Sequence, residues 1–533
     1  MAGSSAAGGV HAPAPGGRVT AEKVYLAIDQ GGHASRVLAF DAGGNMLAQA
    51  RREPESCRPA PDHVEQDADA VVQSVERALA DCVAQLGDQA ASIAAMGLAT
   101  QRSSVVCWDR RTGEALSPVI SWQDRRARGW MSRFDAQAPL IQHITGLLPT
   151  PHFGVSKLHW CLEQLPAVRA AQREQRLAWG PLASFLLYRV LVERPLLVDP
   201  ANASRTLLWD LRTRDWSPEL LTLFGLDSRA LPRCVASRHP FGHRDIDGRA
   251  VPLTVCSGDQ SAALFAFGEP RPGSVYLNLG TGGFLQCVLA DTDPVPAGRL
   301  LRSVVWADEQ GAIEVAEGTV NGAGSALRVE QQALGISPAQ AEENLPRWLA
   351  TAHDIPVYLN GVSGLGSPFW IADFESRFID LPSDAGAAEK LAAVVESILF
   401  LVQVNLQQLA HEGQRVQRVV ISGGVAALDG LCQRLADLSA LPVQRAQCLE
   451  ATARGLARRL AEPEPWPESA LQDFAPQPNP ALWQRYRRWC EAMAQDLSQR
   501  AGVHVPAGLR SSLAGRGPIA DPLTAPGTEE SPV

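Results

Sequence analysis

VCSGDQSAALFAFGEPRPGSVYLNLGTGGFL, residues 255–285, is the stretch that decides how this chain is read. Asp259 stands there beside Gln260, after an apolar run and a glycine, and the strand-like VYLNL (275–279) that follows ends in Gly280-Thr281-Gly282-Gly283. The same turn occurs near the start of the chain, where VYLAI (24–28) runs into Asp29-Gln30-Gly31-Gly32. Val275 follows Val24 by 251 residues, and the pattern Val-Tyr-Leu-x-Ile/Leu-x-x-Gly-Gly is kept at both places. A strand and its glycine turn repeated at one long offset mark a duplicated domain.

Composition sets the frame around that repeat. A chain of 533 residues exceeds a single hydrophobic core, which predicts about two to four domains. With 46% hydrophobic and 20% charged residues it is an ordinary globular composition. The formal charge of −9 argues against a nucleic-acid partner, which favours a basic face, yet leaves room for a local cationic pocket. Ten cysteines are scattered singly with no C-x-x-C pair, so neither a disulfide framework nor a zinc site is expected. No run of about 18 uncharged apolar residues exists, so no membrane span is expected. Residues 1–21 lack the apolar core of a signal peptide and read as a disordered tail, as does the Pro/Gly/Ser-rich stretch 501–533. Asn202-Ala203-Ser204 matches a glycosylation acceptor, a match left empty without a secretion signal, and the expected compartment is the cytoplasm.

Taken in order, residues 24–29 and 36–41 predict strands, with Asp41-Ala-Gly-Gly-Asn45 as the next hairpin turn. Asp67 predicts the cap of a helix in which Val72, Val75, Leu79, Val83 and Leu86 recur at three- and four-residue steps. Strands at 94–100 and 105–109 and the segment PVISWQDRRA (118–127) continue an α/β order. Arg125, Arg126 and Arg128 read as a charged helix face. After the repeat come the helix start EGTVNGAGSALRVEQQAL (317–334), a long amphipathic helix over 389–411, and the strand RVVISGG (418–424) entering another glycine turn.

Glycine turns at strand ends expose backbone N–H groups that can cradle phosphate. Four occur here: Gly31-Gly32, Gly280 to Gly283, Gly322/Gly324 and Gly423-Gly424. None fits the P-loop pattern. Such a set suggests a nucleotide held between two similar lobes, with Asp29 at a strand end holding Mg²⁺ through water. Asp259 admits two readings, the cap of the helix that starts at SAALFAFG or a base that accepts a hydroxyl proton as that oxygen attacks a terminal phosphate. Arg102 and Trp122 both follow strand ends, where one could hold a hydroxyl or phosphate and the other could offer a flat face to a carbon skeleton. The plainer reading of each is a solvated Arg and a core Trp.

These residues, with VISWQDRR, PHFGVSKL, DPANASRTLLWDLRTRDW, SGLGSPFW and ISGG in the same order, make the chain resemble the FGGY carbohydrate kinases, and within them the glycerol kinases. The resemblance covers roughly residues 22–495. It implies an α/β fold of duplicated actin-like (ribonuclease H-like) lobes around a cleft, with an N-terminal lobe over 22–268 and a C-terminal lobe over 269–500. It implies ATP and Mg²⁺, and transfer of the γ-phosphate to a hydroxyl of a small polyol or sugar. Carried over residue by residue, Asp259 stands at the catalytic base position. Arg102, Ser103, Trp122, His152, Asp259, Gln260 and Phe284 stand where the acceptor binds. Asp29, Gly31, Gly32, His33, Arg36, Gly280, Thr281, Gly324, Arg328, Gly423, Gly424 and Leu428 stand at nucleotide positions, and the metal falls to Asp29 and Asp259. A homo-oligomer, dimer or tetramer, completes the expectation.

The differences from glycerol kinases fall at the site. Two threonines after Asp-Gln-Gly are Gly32 and His33 here, a Glu after Gln-Arg is Ser103, a Tyr is His152, and an Asn near the base gives way to Leu428-Asp429. Exchanging Glu for Ser removes a charged acceptor and opens volume, and an unmatched buried polar partner costs about 1–3 kcal/mol. The expected acceptor is therefore a polyol or ketose of four to six carbons, or one carrying another group, rather than glycerol. A sensor that binds without turnover, glycerol kinase proper and an actin-like phosphohydrolase are the competing readings.

Overall fold

The computed structural model describes residues 23–290, 298–446, 450–463, 465–500 and 505–513. Its N-terminal lobe is built on strands β1 (Val24–Gln30), β2 (Ser35–Asp41), β3 (Met46–Arg52), β4 (Ile93–Thr100), β5 (Arg238–Ile246) and β6 (Arg249–Gly258). They lie in the order β5-β6-β4-β1-β2-β3. Strand β1 is antiparallel to β2 and parallel to β4, and β6 is parallel to β4.

The C-terminal lobe repeats the plan with β7 (Ser274–Leu279), β8 (Gly283–Val288), β9 (Leu301–Asp308), β10 (Gly311–Val320), β11 (Arg418–Ser422), β12 (Val443–Ala446) and β13 (Leu471–Phe474). The order is β9-β10-β8-β7-β11-β12-β13. Strand β7 is antiparallel to β8 and parallel to β11, and β12 is parallel to β11. Both sheets therefore hold three adjacent antiparallel strands followed by two parallel strands, and β7 stands where β1 stands. The repeat legible in the sequence is a repeat of topology.

Side-chain alternation explains why the two VYL segments match so closely. Val24, Leu26 and Ile28 face the N-terminal core, where helix α1 (Ala68–Leu86), capped by the Asp67 carboxylate, covers the sheet. Val275, Leu277 and Leu279 likewise face the C-terminal core beneath the long helix α4 (Ala387–His411). Tyr25 and Tyr276, one residue on, turn to the opposite face. Both enter one shared cluster with Leu456 and Ala457 of α6 (Ala451–Ala461), Phe265 and Trp306. The lobes are joined by this apolar seam, and the site lies along its edge.

Two expectations are corrected. Within the stretch 501–533 expected to be disordered, Ala507–Leu513 is a helix, its Leu509 fully buried in the C-terminal core. Leu509 carries too few apolar neighbours in sequence to signal this, because its partners lie on α4. Residues 501–504 and 514–533 of that stretch, and residues 1–21, lie outside the described residues. Arg126 is not on an exposed face: its side chain is 1% exposed, paired with Asp124 and Glu65 and stacked over Trp160. No helix among the described residues is long and apolar enough to cross a membrane.

Candidate active site

Three parallel strands of the N-terminal sheet end level with one another. Gln30 of β1 pairs with Thr100 of β4, and Thr100 with Gly258 of β6. The residues just beyond, Gly31, Gln101-Arg102 and Asp259, therefore emerge side by side at the carboxyl edge of the sheet, where α/β folds bind their ligands. Asp259 opens helix α2 (Asp259–Ala263), but Gly258 occupies the cap and no side chain caps that end. The Asp259 Oδ1 accepts the N–H of its neighbour Gln260 at 2.7 Å. The cap reading fails, because Asp259 is the first residue of the helix and Gly258 its cap.

From Asp259 a ring of side chains can be followed. Arg102 lies across Gly258, where a Cβ would stand 2.5 Å from its Cδ, so only glycine admits it. Its guanidinium donates to Gln260 Oε1 at 2.6 Å and to Glu317 Oε1 at 2.9 Å. Gln286 donates to the same Glu317 oxygen at 3.0 Å, and Arg205 donates to the other. Phe284, two residues before Gln286 on β8, lies on the same strand face. Arg205 sits over the Phe153 ring, the His152 ring meets Phe153 and Trp122 edge-on, and Trp122 Nε1 is 3.6 Å from the position a Gly32 Cβ would take. Ser103 follows Arg102 in a left-handed backbone conformation (φ 65°), its buried Oγ without a hydrogen bond among the described residues.

Charge is crowded here. Burial alone would raise the Glu317 carboxyl, but Arg102 and Arg205 overcome it and hold it at about 2. Burial pushes the Asp259 carboxyl up, against the pull of Arg102 and Arg205. Asp29 is pushed up to about 7, first by burial and then by the charge of Asp259, with Arg36 opposing. Arg36 Nη1 lies 3.8 Å from Asp29 and 2.9 Å from Glu450. His152 is driven well below its ordinary value by burial and then by Lys157, Arg205, Arg125 and Arg102. It stands neutral in the wall.

The glycine turns of the C-terminal lobe converge. A Cβ on Gly324, at the start of α3 (Gly324–Ala333), would lie 2.7 Å from the Gly280 carbonyl oxygen. One on Gly423 (φ 95°) would lie 2.5 Å from that of Leu279, so both turns can approach β7 only as glycine. Arg328 Nη2 reaches Thr281 Oγ1 at 3.4 Å, and Leu428 precedes helix α5 (Asp429–Ser439) after Gly424. In the N-terminal turn the Gly31 N–H closes onto the Ala34 carbonyl at 2.9 Å, leaving Gly32 and the exposed His33 at its tip. The structure thus gathers Gly280, Thr281, Gly324, Arg328, Gly423, Gly424 and Leu428 at one sheet edge, and Asp29, Gly31, Gly32, His33 and Arg36 at the other.

Family models describe the same two halves: the N-terminal domain of the FGGY family of carbohydrate kinases matches residues 24–266, and its C-terminal domain residues 275–461. The chain belongs to the FGGY family. It is a phosphotransferase acting on an alcohol group, and this family uses ATP as its phosphoryl donor. A relative described as glycerol kinase, from Methylobacterium nodulans, is 34% identical over 82% of this chain and 88% of its own length. Another, from Alkalilimnicola ehrlichii, is 32% identical over 89% and 99%. The fold matches a Plasmodium falciparum glycerol kinase crystallised with ADP (TM-score 0.80, 21% identity, 91% and 99% covered). It also matches a xylulose kinase from Rhodospirillum rubrum (TM-score 0.79, 20% identity, 90% and 99% covered). The actin-like two-lobe fold is therefore established.

Sequence reading missed Glu317, Arg205, Gln286, Lys157 and Glu450. For Glu317 a signal existed: a carboxylate between Val315-Ala316 and Gly318-Thr319-Val320, in a strand otherwise free of charge at its buried end. Arg205 and Lys157 lay inside quoted segments with nothing to separate them from solvated cations.

Proposed function

We propose that this kinase phosphorylates a hydroxyl of a polyol or sugar larger than glycerol, with Asp259 as the general base. The observation that carries it is the setting of Asp259: a half-buried carboxylate at a strand end, one oxygen tied to Gln260 N–H, flanked by the Arg102–Glu317–Arg205 network. Burial raises its basicity, so it draws a hydroxyl proton more strongly than an exposed carboxylate would. Arg102 and Gln260, fixed to each other, orient the acceptor, and Trp122 offers an apolar wall. The converging glycine turns supply backbone donors for the phosphates of ATP.

Asp29 and Asp259 fit a divalent cation, because the charge of Asp259 adds to the cost of ionising Asp29 and a bound cation would relieve it. Among the described residues no cluster of three or more ligating side chains exists, as suits Mg²⁺, which takes one or two carboxylates and completes its shell with water and phosphate. When bound it supplies charge neutralisation at the transferring phosphate.

Acceptors other than glycerol are favoured by Ser103, whose Oγ carries no hydrogen-bond partner among the described residues. A cytoplasmic enzyme is part of this reading. Purified protein with ATP and Mg²⁺ is assayed for ADP release against glycerol and a panel of four- to six-carbon polyols and ketoses. Release that depends on a longer acceptor is expected. Equal efficiency with glycerol contradicts the acceptor assignment, release without acceptor supports a hydrolase, and binding without turnover supports a sensor.

A further inference from the structure

We propose that Gln101 is a positioning residue for phosphoryl transfer: with Gln30 and Gln66 it aims the backbone N–H groups of the N-terminal glycine turn and ties that turn to the acceptor wall. This rests on the kinase reading above and gives three glutamines a part in it.

Glutamine is mostly a surface residue, yet three of them meet in this lobe's interior. Gln30 ends β1, Gln66 ends the short strand Glu65–Gln66, and Gln101 follows β4; none is more than 2% exposed. Gln101 Nε2 donates to Gln30 Oε1 at 3.2 Å, to Gln66 Oε1 at 3.1 Å and to the Gly31 carbonyl at 3.4 Å. Gln30 Nε2 donates to the same Gly31 carbonyl at 2.8 Å, and Gln66 Nε2 to the Gly32 carbonyl at 3.4 Å. Buried amides thus hold two successive carbonyls of the turn.

The consequence lies on the other side of each peptide. A peptide is planar and trans, so its N–H points opposite to its C=O. With the Gly31 and Gly32 carbonyls drawn onto the glutamines, the N–H groups of Gly32 and His33 are turned away from them. Neither N–H finds an acceptor among the described residues, whereas that of Gly31 closes onto Ala34. Successive backbone N–H groups held in this way suit the oxygens of a phosphate. Gly32 and His33 bring no hydroxyl to assist them, so the aim of the backbone decides the grip.

The network also runs to the acceptor. Ser104 Oγ donates to Gln101 Oε1 at 3.0 Å and accepts the Trp122 N–H at 3.0 Å. The Gln101 N–H donates to the Gln30 carbonyl at 2.8 Å, and Arg102 is the next residue. One side chain therefore joins the turn that meets the donor to the segments that carry Arg102 and Trp122. An apolar side chain would fill the same space with no polar groups to satisfy, so packing alone does not account for the amide.

Gln101→Met keeps length and burial while removing the amide, and Gln66→Met frees the Gly32 carbonyl alone. Both are assayed with ATP, Mg²⁺ and the best acceptor of the polyol and ketose panel. Gln101→Met is expected to raise the ATP KM and lower kcat by about tenfold each, with the acceptor dissociation constant within a few-fold of the parent. Gln66→Met is expected to raise the ATP KM by about threefold. A packing role lowers the melting temperature and the active fraction but leaves the ATP KM of the surviving enzyme unchanged, and that result overturns the inference. The unaltered protein gives a readout independent of either variant's folding. Hydrogen exchange over residues 30–36 is expected to show about two further protected amides when Mg²⁺ and the β,γ-imido analogue of ATP are added. No added protection there overturns the inference and leaves the kinase reading standing. No acceptor-dependent ADP release from the parent, with any polyol, ketose or glycerol, overturns both.

Discussion

Glu317→Gln removes the one carboxylate that spans the two buried guanidiniums. Arg102 and Glu317 side chains are 7% and 6% exposed, so water cannot take over the lost charge. A carboxyl held at about 2 instead of the ordinary 4.5 reflects about 3 kcal/mol in favour of its ionised, folded form. Breaking a buried ion pair by deleting one partner costs about 3–5 kcal/mol, the same scale. The sign follows from linkage: because the folded value is depressed, this stabilisation is complete above pH 4.5 and is lost as pH falls toward 2. Urea unfolding of the parent and the variant is therefore expected to differ by about 3 kcal/mol at pH 7 and by about half of that or less at pH 3. The acceptor KM rises with it, since Arg102 loses its anchor. A gap under about 0.5 kcal/mol at pH 7, or one independent of pH, refutes the reasoning.

Other perturbations probe separate links. Gly423→Ala places a methyl 2.5 Å from the Leu279 carbonyl oxygen at a φ of 95°, so the ATP KM is expected to rise about tenfold or more while acceptor binding by titration stays near normal. The Cβ that Gly32→Thr adds meets Trp122 Nε1 and Gln101 Oε1 at ordinary contact distances of 3.6 and 3.8 Å, so a melting temperature within about 2 °C of the parent is expected, with a changed ATP KM as its kinetic sign. Leu509→Asp buries a charge in the core under α4, and a loss of about 3 kcal/mol in urea unfolding is expected. Little change there means the Ala507–Leu513 helix is not docked.

The backbone plan was legible because duplication leaves a double trace: two VYL strands whose tyrosines face one seam and whose glycines turn at the same place. The places of Asp259 and Asp29 at strand ends were legible for a related reason, since each follows an apolar, strand-like run. The acceptor wall was less so. Glu317 and Arg205 come from different lobes and acquire meaning only when β10 is laid beside the segment after β4. Lys157 reads as a solvated helix cation until its ammonium is seen enclosed by the carbonyls of its own preceding turn. Arg126 misled in the same way, because the pairing that buries it, with Glu65, reaches across sixty-one positions. Sequence periodicity reports which face of an element is apolar; it does not report which charges a third element will cover.

The account's central claim is that Asp259 takes the acceptor proton. Asp259→Asn keeps the shape and the Gln260 contact but cannot accept that proton. Single-turnover rates of phosphoryl transfer, with acceptor binding measured alongside, are expected to fall by about 1,000-fold with the acceptor dissociation constant changed by no more than a few-fold. A variant that transfers phosphate within about tenfold of the parent rate would contradict the claim.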